Sequence, residues 1–239
     1  MALILIGTGV AFDLTLQGME ALKSCDEAYI ETYTNPLADE KIIELEQKVG
    51  KKIVKLDRSR LESPFLVDRA KTKRVCIIAS GDPLTATTHI TLVMEARTRG
   101  IPVDVIHNSS IYSVAPARAG LQIYRFGKTA TLVNPRPNYK PTSSLDVIRE
   151  NLARNLHTLV LLDTEPEPMD AKLALELLTE FQEAVVLSCV GYKDEKISYG
   201  SIAKLKKQDL GRPPFTVVVP AKLHPVERDF LVPFREGKN

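Results

Sequence analysis

Residues 75–89 read VCIIASGDPLTATTH, an apolar run that stops abruptly at Gly81, Asp82 and Pro83. A short apolar run bounded by turn residues is typical of a buried strand. Glycine lets the backbone turn or approach another segment closely, proline lacks an N–H donor, and aspartate hydrogen-bonds nearby backbone groups. The stretch therefore predicts a strand followed by a turn that carries one carboxylate. That turn is either only a turn or part of a site.

Short apolar runs alternate with helical patterns on both sides of this strand. MALILI, KKIVKL and IPVDVI predict further strands. ADEKIIELEQKVG predicts an amphipathic helix with Ile42, Leu45 and Val49 on one face, which Gly50 ends, and residues 87–99 predict a helix that Gly100 ends. This alternation is typical of an α/β sheet. Ligands of such sheets bind beyond the carboxyl ends of the strands, where Gly7, Gly81 and residues 107–111 all fall. We therefore expect three turns to share one rim.

A proline-rich stretch, NPRPNYKP, interrupts this pattern and is typical of a linker. We predict two α/β domains, residues 1–133 and 143–239, joined by a linker at 134–142. In the second domain, helical patterns at 143–155 and 170–183 alternate with the apolar runs HTLVLLD, AVVLSCV, KISYG and FTVVVP.

The composition is typical of a globular protein without a strong net electrostatic field. The 239 residues are 44% hydrophobic and 26% charged, with a net charge of +2, so we predict no nucleic-acid and no membrane partner. Cys25, Cys76 and Cys189 are odd in number and far apart, which favours reduced thiols and a cytoplasmic location. The run MALILIGTGV is too short for a signal peptide or a membrane span, and we interpret it as the first strand.

Known catalytic patterns find little support in this chain. Gly7-Thr8-Gly9 begins like a dinucleotide-binding fingerprint, and Glu31 follows at about the sequence separation of the acidic residue that binds the ribose hydroxyl in that motif. Phe12 replaces the third glycine, which disfavours a nicotinamide cofactor. Asp163, Glu165 and Glu167 form either a catalytic pair or a solvated loop, and the loop is favoured. The four histidines lack metal-ligand spacing, so each is predicted to be a surface or hydrogen-bonded side chain: His89, His107, His157 and His224. This profile suits a reaction whose driving force resides in a cofactor.

Five segments, in their order and spacing, resemble the diphthine synthase family of the tetrapyrrole methylase class: GTGV, SGDPLTATTH, IHNSSIYS, GLQIYRFGKTAT and HTLVLLD. The similarity covers nearly the whole chain. It implies two α/β domains of the tetrapyrrole methylase type, with the cofactor cleft between them. It also implies a homodimer that uses S-adenosyl-L-methionine, releases S-adenosyl-L-homocysteine, and methylates the amine of a modified histidine on translation elongation factor 2, giving diphthine.

Carried over position by position, the resemblance implies eight donor-binding residues: Val10, Asp82, Thr85, Ser110, Ile111, Leu162, Val190 and Phe215. It implies no metal, and the sequence identifies no base and hence no catalytic residue. Asp82 has the alternative role of capping the following helix. Phe215 and Cys189 depart from the family pattern, which more often has histidine and a basic residue. Two other functions stay open: methylation of a porphyrin precursor or ribosomal RNA, and a non-catalytic homologue that binds the factor or a nucleotide.

Overall fold

Two compact units make up the chain, and each has its own β-sheet. The computed structural model describes residues 1–33, 39–137, 139 and 142–235, and the units comprise Met1–Ile111 and Tyr112–Asn239. Helices accompany both sheets, so the predicted α/β class is confirmed. Among the described residues, no helix is both long and apolar enough to cross a bilayer.

The first unit alternates strands and helices along the chain. In order it contains β1 (Ala2–Gly7), α1 (Leu16–Ser24), β2 (Glu27–Glu31), α2 (Asp39–Val49), β3 (Ile53–Leu56), α3 (Arg58–Leu61), α4 (Phe65–Ala70), β4 (Arg74–Ala79), α5 (Ile90–Thr98) and β5 (Val103–Ile106). The strands pair in parallel in the order β3-β2-β4-β1-β5. The carboxyl ends of β1, β4 and β5 therefore lie at one edge of the sheet.

Both faces of this sheet are buried, which explains why its central strands are apolar at consecutive positions. Ile4 and Ile6 of β1 belong to a core with residues of α1 and α2, whereas Leu3 and Leu5 belong to a core with residues of α4 and α5. The two sets alternate because successive side chains of a strand point to opposite faces.

The start of α5 differs from the predicted helix at 87–99. The helix begins at Ile90 with His89 at its N-cap, and two side chains just before it contact the Pro83 carbonyl. Thr87 Oγ1 donates to the Pro83 carbonyl at 2.9 Å, and His89 Nδ1 lies 3.0 Å from the same oxygen.

The second unit contains a mixed sheet. Its elements, with α6 starting at the last residue of the first unit, are α6 (Ile111–Arg118), β6 (Ala130–Leu132), α7 (Ser143–Ala153), β7 (Thr158–Leu162), α8 (Ala171–Leu177), β8 (Glu183–Ser188), β9 (Lys196–Ser201), α9 (Ile202–Leu205), β10 (Phe215–Val219) and α10 (Pro225–Leu231). The strand order is β6-β7-β10-β8-β9, and only the described β6–β7 pair is parallel. Helix α8 is shorter than the predicted 170–183, because the chain turns after Leu177 and buries Leu178 and Phe181 before it enters β8.

The units divide between Ile111 and Tyr112, earlier in the chain than the linker that the sequence predicts at 134–142. Strand β6 explains the difference, because it pairs with β7 from Ala130 to Leu132 and so belongs to the second sheet. Of the predicted linker, residues 138, 140 and 141 lie outside the described residues.

Candidate functional site

Three turns at the carboxyl edge of the first sheet form what we call the rim: residues 7–10 after β1, 80–85 after β4, and 107–111 after β5. The first two turns are joined backbone to backbone. Gly9 N donates to Gly81 O at 3.0 Å, and Gly81 N donates to Gly9 O at 3.2 Å. A Cβ on Gly7 would lie 2.5 Å from Gly81 O, so only glycine permits this approach.

The third turn is bonded to the first by two side chains. Asn108 Nδ2 donates to the carbonyls of Gly7 at 3.0 Å and Asp13 at 2.7 Å. Ser109 Oγ accepts from Val10 N at 3.2 Å. The expectation of three turns on one rim is therefore met by direct hydrogen bonds.

Asp82 connects the second turn to the third. Its Oδ1 accepts from Leu84 N at 3.0 Å and from Thr85 Oγ1 at 3.1 Å. Its Oδ2 lies 2.7 Å from His107 Nδ1 and accepts from Asn108 N at 3.3 Å. A carboxylate offers about four lone-pair positions, so these four donors occupy it.

The charge of Asp82 is stabilised although the residue is only 7% exposed. Burial acts to raise the pKa of Asp82, but the hydrogen bonds from Leu84, His107, Thr85 and Asn108 outweigh it and lower the pKa below its usual value. The helix-cap alternative for Asp82 is wrong, because α5 begins at Ile90 and has His89 at its N-cap. Asp82 instead closes an Asx turn on Leu84 N.

The five predicted donor-binding residues of the first unit all lie on the rim. Val10 follows the glycine turn, Asp82 and Thr85 lie in the second turn, and Ser110 and Ile111 end the third turn and begin α6. Val10, Thr85, Ser110 and Ile111 are partly exposed, whereas Asp82 is buried behind them.

The rim leaves its backbone approachable at Gly81. A Cβ placed there meets, among the described residues, only Ser109 O, at the ordinary contact distance of 3.8 Å. The φ of Gly81 is +68°, a conformation that glycine adopts without strain. Open space therefore adjoins the rim on the Cβ side of Gly81.

The other three predicted residues lie at one end of the second sheet. Leu162 is the last residue of β7, Phe215 is the first of β10, and Val190 follows β8. Phe215 pairs with Ser188, and continuing the β7–β10 register by two residues places Leu162 level with Phe215. The ends of β7, β10 and β8 thus lie side by side within the second unit, and Val190 lies two residues beyond β8.

Cys189 is buried beside this strand end. Its Sγ lies 3.3 Å from the carbonyls of Arg212 and Pro213, and Cys189 N donates to Pro214 O at 2.9 Å. Burial raises the pKa of its thiol. The cysteine therefore packs against the chain leading into β10, and its backbone has a positive φ of 48° immediately before Val190.

The acidic loop after β7 is built around its first carboxylate. Asp163 accepts from Asn134 N at 3.0 Å and from Glu165 N at 3.2 Å, and Asn134 Nδ2 donates to the carbonyls of Glu165 and Glu167. These contacts hold the loop together, in keeping with the favoured loop interpretation.

The histidines occupy separate environments. His157 is buried, and burial lowers the pKa of His157; Ala221 N donates to its Nδ1 at 2.9 Å, and its Nε2 lies 3.3 Å from Glu227. His224 caps α10, and His89 is buried against Pro83. Among the described residues, no group of three or more His, Cys, Asp or Glu side chains is placed to hold a metal.

The contacts of His107 and Asn108 with Asp82 are not predictable from the sequence, although both residues lie in a segment that is predicted to lie on the rim. The available signal was their position directly after β5. Their contact with Asp82 joins residues about 25 positions apart in the chain, and no local pattern reveals such a pair. Glu31, the ribose candidate, is 2% exposed at the end of β2, and Phe12 packs against the core instead of opening a phosphate loop.

Residues 2–206 match the family described as Tetrapyrrole (Corrin/Porphyrin) Methylases. The chain is 41% identical to diphthine synthase of Staphylothermus marinus, over 96% of this chain and 92% of the relative. It is 38% identical to diphthine synthase of Methanothermobacter thermautotrophicus, over 96% of this chain and 94% of the relative. A crystal structure of diphthine synthase superimposes with a TM-score of 0.91 at 35% identity, covering 99% of this chain and 96% of the other.

Proposed function

The chain belongs to the tetrapyrrole (corrin/porphyrin) methylase family, and from this premise we propose that it acts as a diphthine synthase. Its substrate is translation elongation factor 2 that carries a modified histidine, the precursor of diphthamide. The amine of that modification receives methyl groups from S-adenosyl-L-methionine, giving diphthine and S-adenosyl-L-homocysteine. Near-full-length similarity to curated diphthine synthases supports this choice of acceptor over a porphyrin precursor or ribosomal RNA.

The observation that carries the proposal is the rim with its buried carboxylate. Turns after β1, β4 and β5 are fixed by Asp82 and Asn108, and they leave the backbone at Gly81 approachable. Rigid turns favour binding because little flexibility is lost when the ligand is bound. The partly exposed residues Val10 and Ser110 can then contact the donor.

One contribution of the protein to the chemistry is orientation. When bound, the donor would supply the methyl group from a sulfonium, and its sulfur would keep the electron pair of the broken bond. Holding donor and amine in line is worth up to roughly 7–11 kcal/mol in well-oriented reactions. The proposed contacts are Val10, Asp82, Thr85, Ser110 and Ile111 in the first unit, and Leu162, Val190 and Phe215 in the second.

We further propose a homodimer in the cytoplasm. The described cysteines are free and buried, which fits a reducing compartment. Light scattering at micromolar concentration should give twice the 26.5 kDa mass of the chain, and the mass of a single chain would contradict the dimer.

The function is tested with purified elongation factor 2 that carries the unmethylated modification. We expect mass spectrometry to show methyl groups added to this factor, and none added to a factor with unmodified histidine. Transfer to a porphyrin precursor or ribosomal RNA instead would identify another methylase of the class. Calorimetry that detects donor binding without transfer to any acceptor would identify a non-catalytic homologue.

A further inference from the structure

His107 is an exposed imidazole held by a buried carboxylate. It follows β5 directly, and its Nδ1 lies 2.7 Å from Asp82 Oδ2. The His107 side chain is 65% exposed, whereas that of Asp82 is 9% exposed. Among the described residues, Asp82 is the charged side chain in contact with His107. One ring nitrogen is thus fixed by the protein, and the other belongs to a ring that is open to an incoming molecule.

The carboxylate determines which nitrogen of the neutral ring carries the proton. Its hydrogen bonds lower the pKa of Asp82, so the group is ionised at neutral pH and only accepts hydrogen bonds. Nδ1 must therefore donate, and Nε2 keeps a free lone pair. The aspartate of a Ser-His-Asp triad fixes the tautomer and orientation of its histidine in the same way.

We propose that His107 is the proton acceptor for the substrate amine and that Asp82 positions its ring, an inference that rests on the proposed diphthine synthase function. An ammonium has no lone pair, so the amine must lose a proton before each methyl transfer. That proton passes to His107 Nε2 and then to water. The freed lone pair forms the new N–C bond, and the electron pair of the S–C bond remains on sulfur.

The position of His107 on the rim favours this role. Ser110 and Ile111, two of the proposed donor contacts, lie in the same turn, and Asn108 bonds this turn to the turn after β1. The other histidines are less suited to this role, because His89 and His157 are at most 1% exposed and His224 caps α10 in the second unit. His107 is therefore the histidine of the described chain that combines exposure, a fixed tautomer and a place on the rim.

The test compares His107→Gln and His107→Ala with His224→Gln, which removes an exposed imidazole in the second unit. We expect both His107 variants to lower turnover on the modified factor about 100- to 10,000-fold. Donor affinity, measured by calorimetry, should stay unchanged, and added imidazole should restore part of the activity of His107→Ala. His224→Gln should keep wild-type turnover. Unchanged turnover of the His107 variants, or a loss explained by weaker donor binding, would overturn the inference.

A second readout does not depend on turnover. NMR of the protein with isotopically labelled histidine rings should show the neutral His107 ring protonated at Nδ1, with His107→Gln assigning the signal. A proton on Nε2 overturns the inference, whatever the acceptor proves to be. If the wild type methylates the factor and the His107 variants do so equally well, the function stands and the inference fails. If the wild type does not methylate the factor, the proposed function fails. In that case a proton on Nδ1 of His107 still supports the positioning of its ring by Asp82, and a proton on Nε2 overturns it.

Discussion

Replacement of Asp82 by asparagine tests whether one carboxylate holds the rim together. The four donors around it divide between its two oxygens, and asparagine replaces one oxygen with an N–H₂ group. If the remaining oxygen keeps its hydrogen bonds from Leu84 N and Thr85 Oγ1, the amide nitrogen faces His107 Nδ1 and Asn108 N. The imidazole can switch its proton to Nε2 and accept from the amide, but the N–H of Asn108 loses its partner.

An unpaired donor of this kind costs about 1–3 kcal/mol. For a chain of this length each kcal/mol lowers the thermal midpoint by roughly 2–4 °C, so Asp82→Asn should lower it by about 2–12 °C. Donor affinity should fall severalfold, because the turns that present the backbone loosen. Asp13→Asn, which removes an exposed carboxylate from the segment between β1 and α1, is the matched control and should change neither quantity.

Acidic pH provides an internal check on this assignment. The pKa of Asp82 is lower in the folded state than its ordinary value of about 3.9. Its ionised form therefore stabilises the fold at pH values above about 3.9, and this stabilisation is lost as the pH falls through the pKa of the folded state. The stability difference between wild type and Asp82→Asn should therefore be full at neutral pH and shrink below about pH 4. If wild type and Asp82→Asn have the same donor affinity by calorimetry and the same thermal midpoint at neutral pH, the proposed role of the carboxylate is refuted.

Three further outcomes are expected. Gly7→Ala, whose new Cβ would lie 2.5 Å from Gly81 O, should weaken donor binding measured by calorimetry, whereas Gly50→Ala, which meets no described atom within 4 Å, should leave donor affinity unchanged. Glu227→Gln removes a fully buried partner of Arg125 and should cost about 3–5 kcal/mol in urea unfolding. The exposed Glu180→Gln should cost about 0–1 kcal/mol, and equal losses would contradict the distinction. S-adenosyl-L-methionine at a hundredfold excess over its Kd should stabilise the native protein by about 2.7 kcal/mol, and a larger thermal shift with NAD would argue against the donor.

Local pattern determined most of the first unit. The apolar runs around β1 and β4 are long enough to identify buried strands, and the spacing of Ile42, Leu45 and Val49 identified the buried face of α2. Such patterns are readable because the 2- and 3.6-residue periods are properties of neighbouring residues. The placement of three turns on one rim followed as well, since a parallel sheet puts its carboxyl ends on one edge.

The tertiary structure decided what depends on contacts between distant segments. The division at Ile111 follows from the pairing of β6 with β7, and a three-residue strand carries almost no periodic signal of its own. The roles of Asp82 and His107 were hidden for the same reason. Strand order places the turns after β4 and β5 on either side of β1, and only then does a carboxylate that resembles a helix cap become the partner of an imidazole. Hydrogen bonds between side chains depend on distances of a few tenths of an ångström, which the sheet sets and the sequence pattern does not.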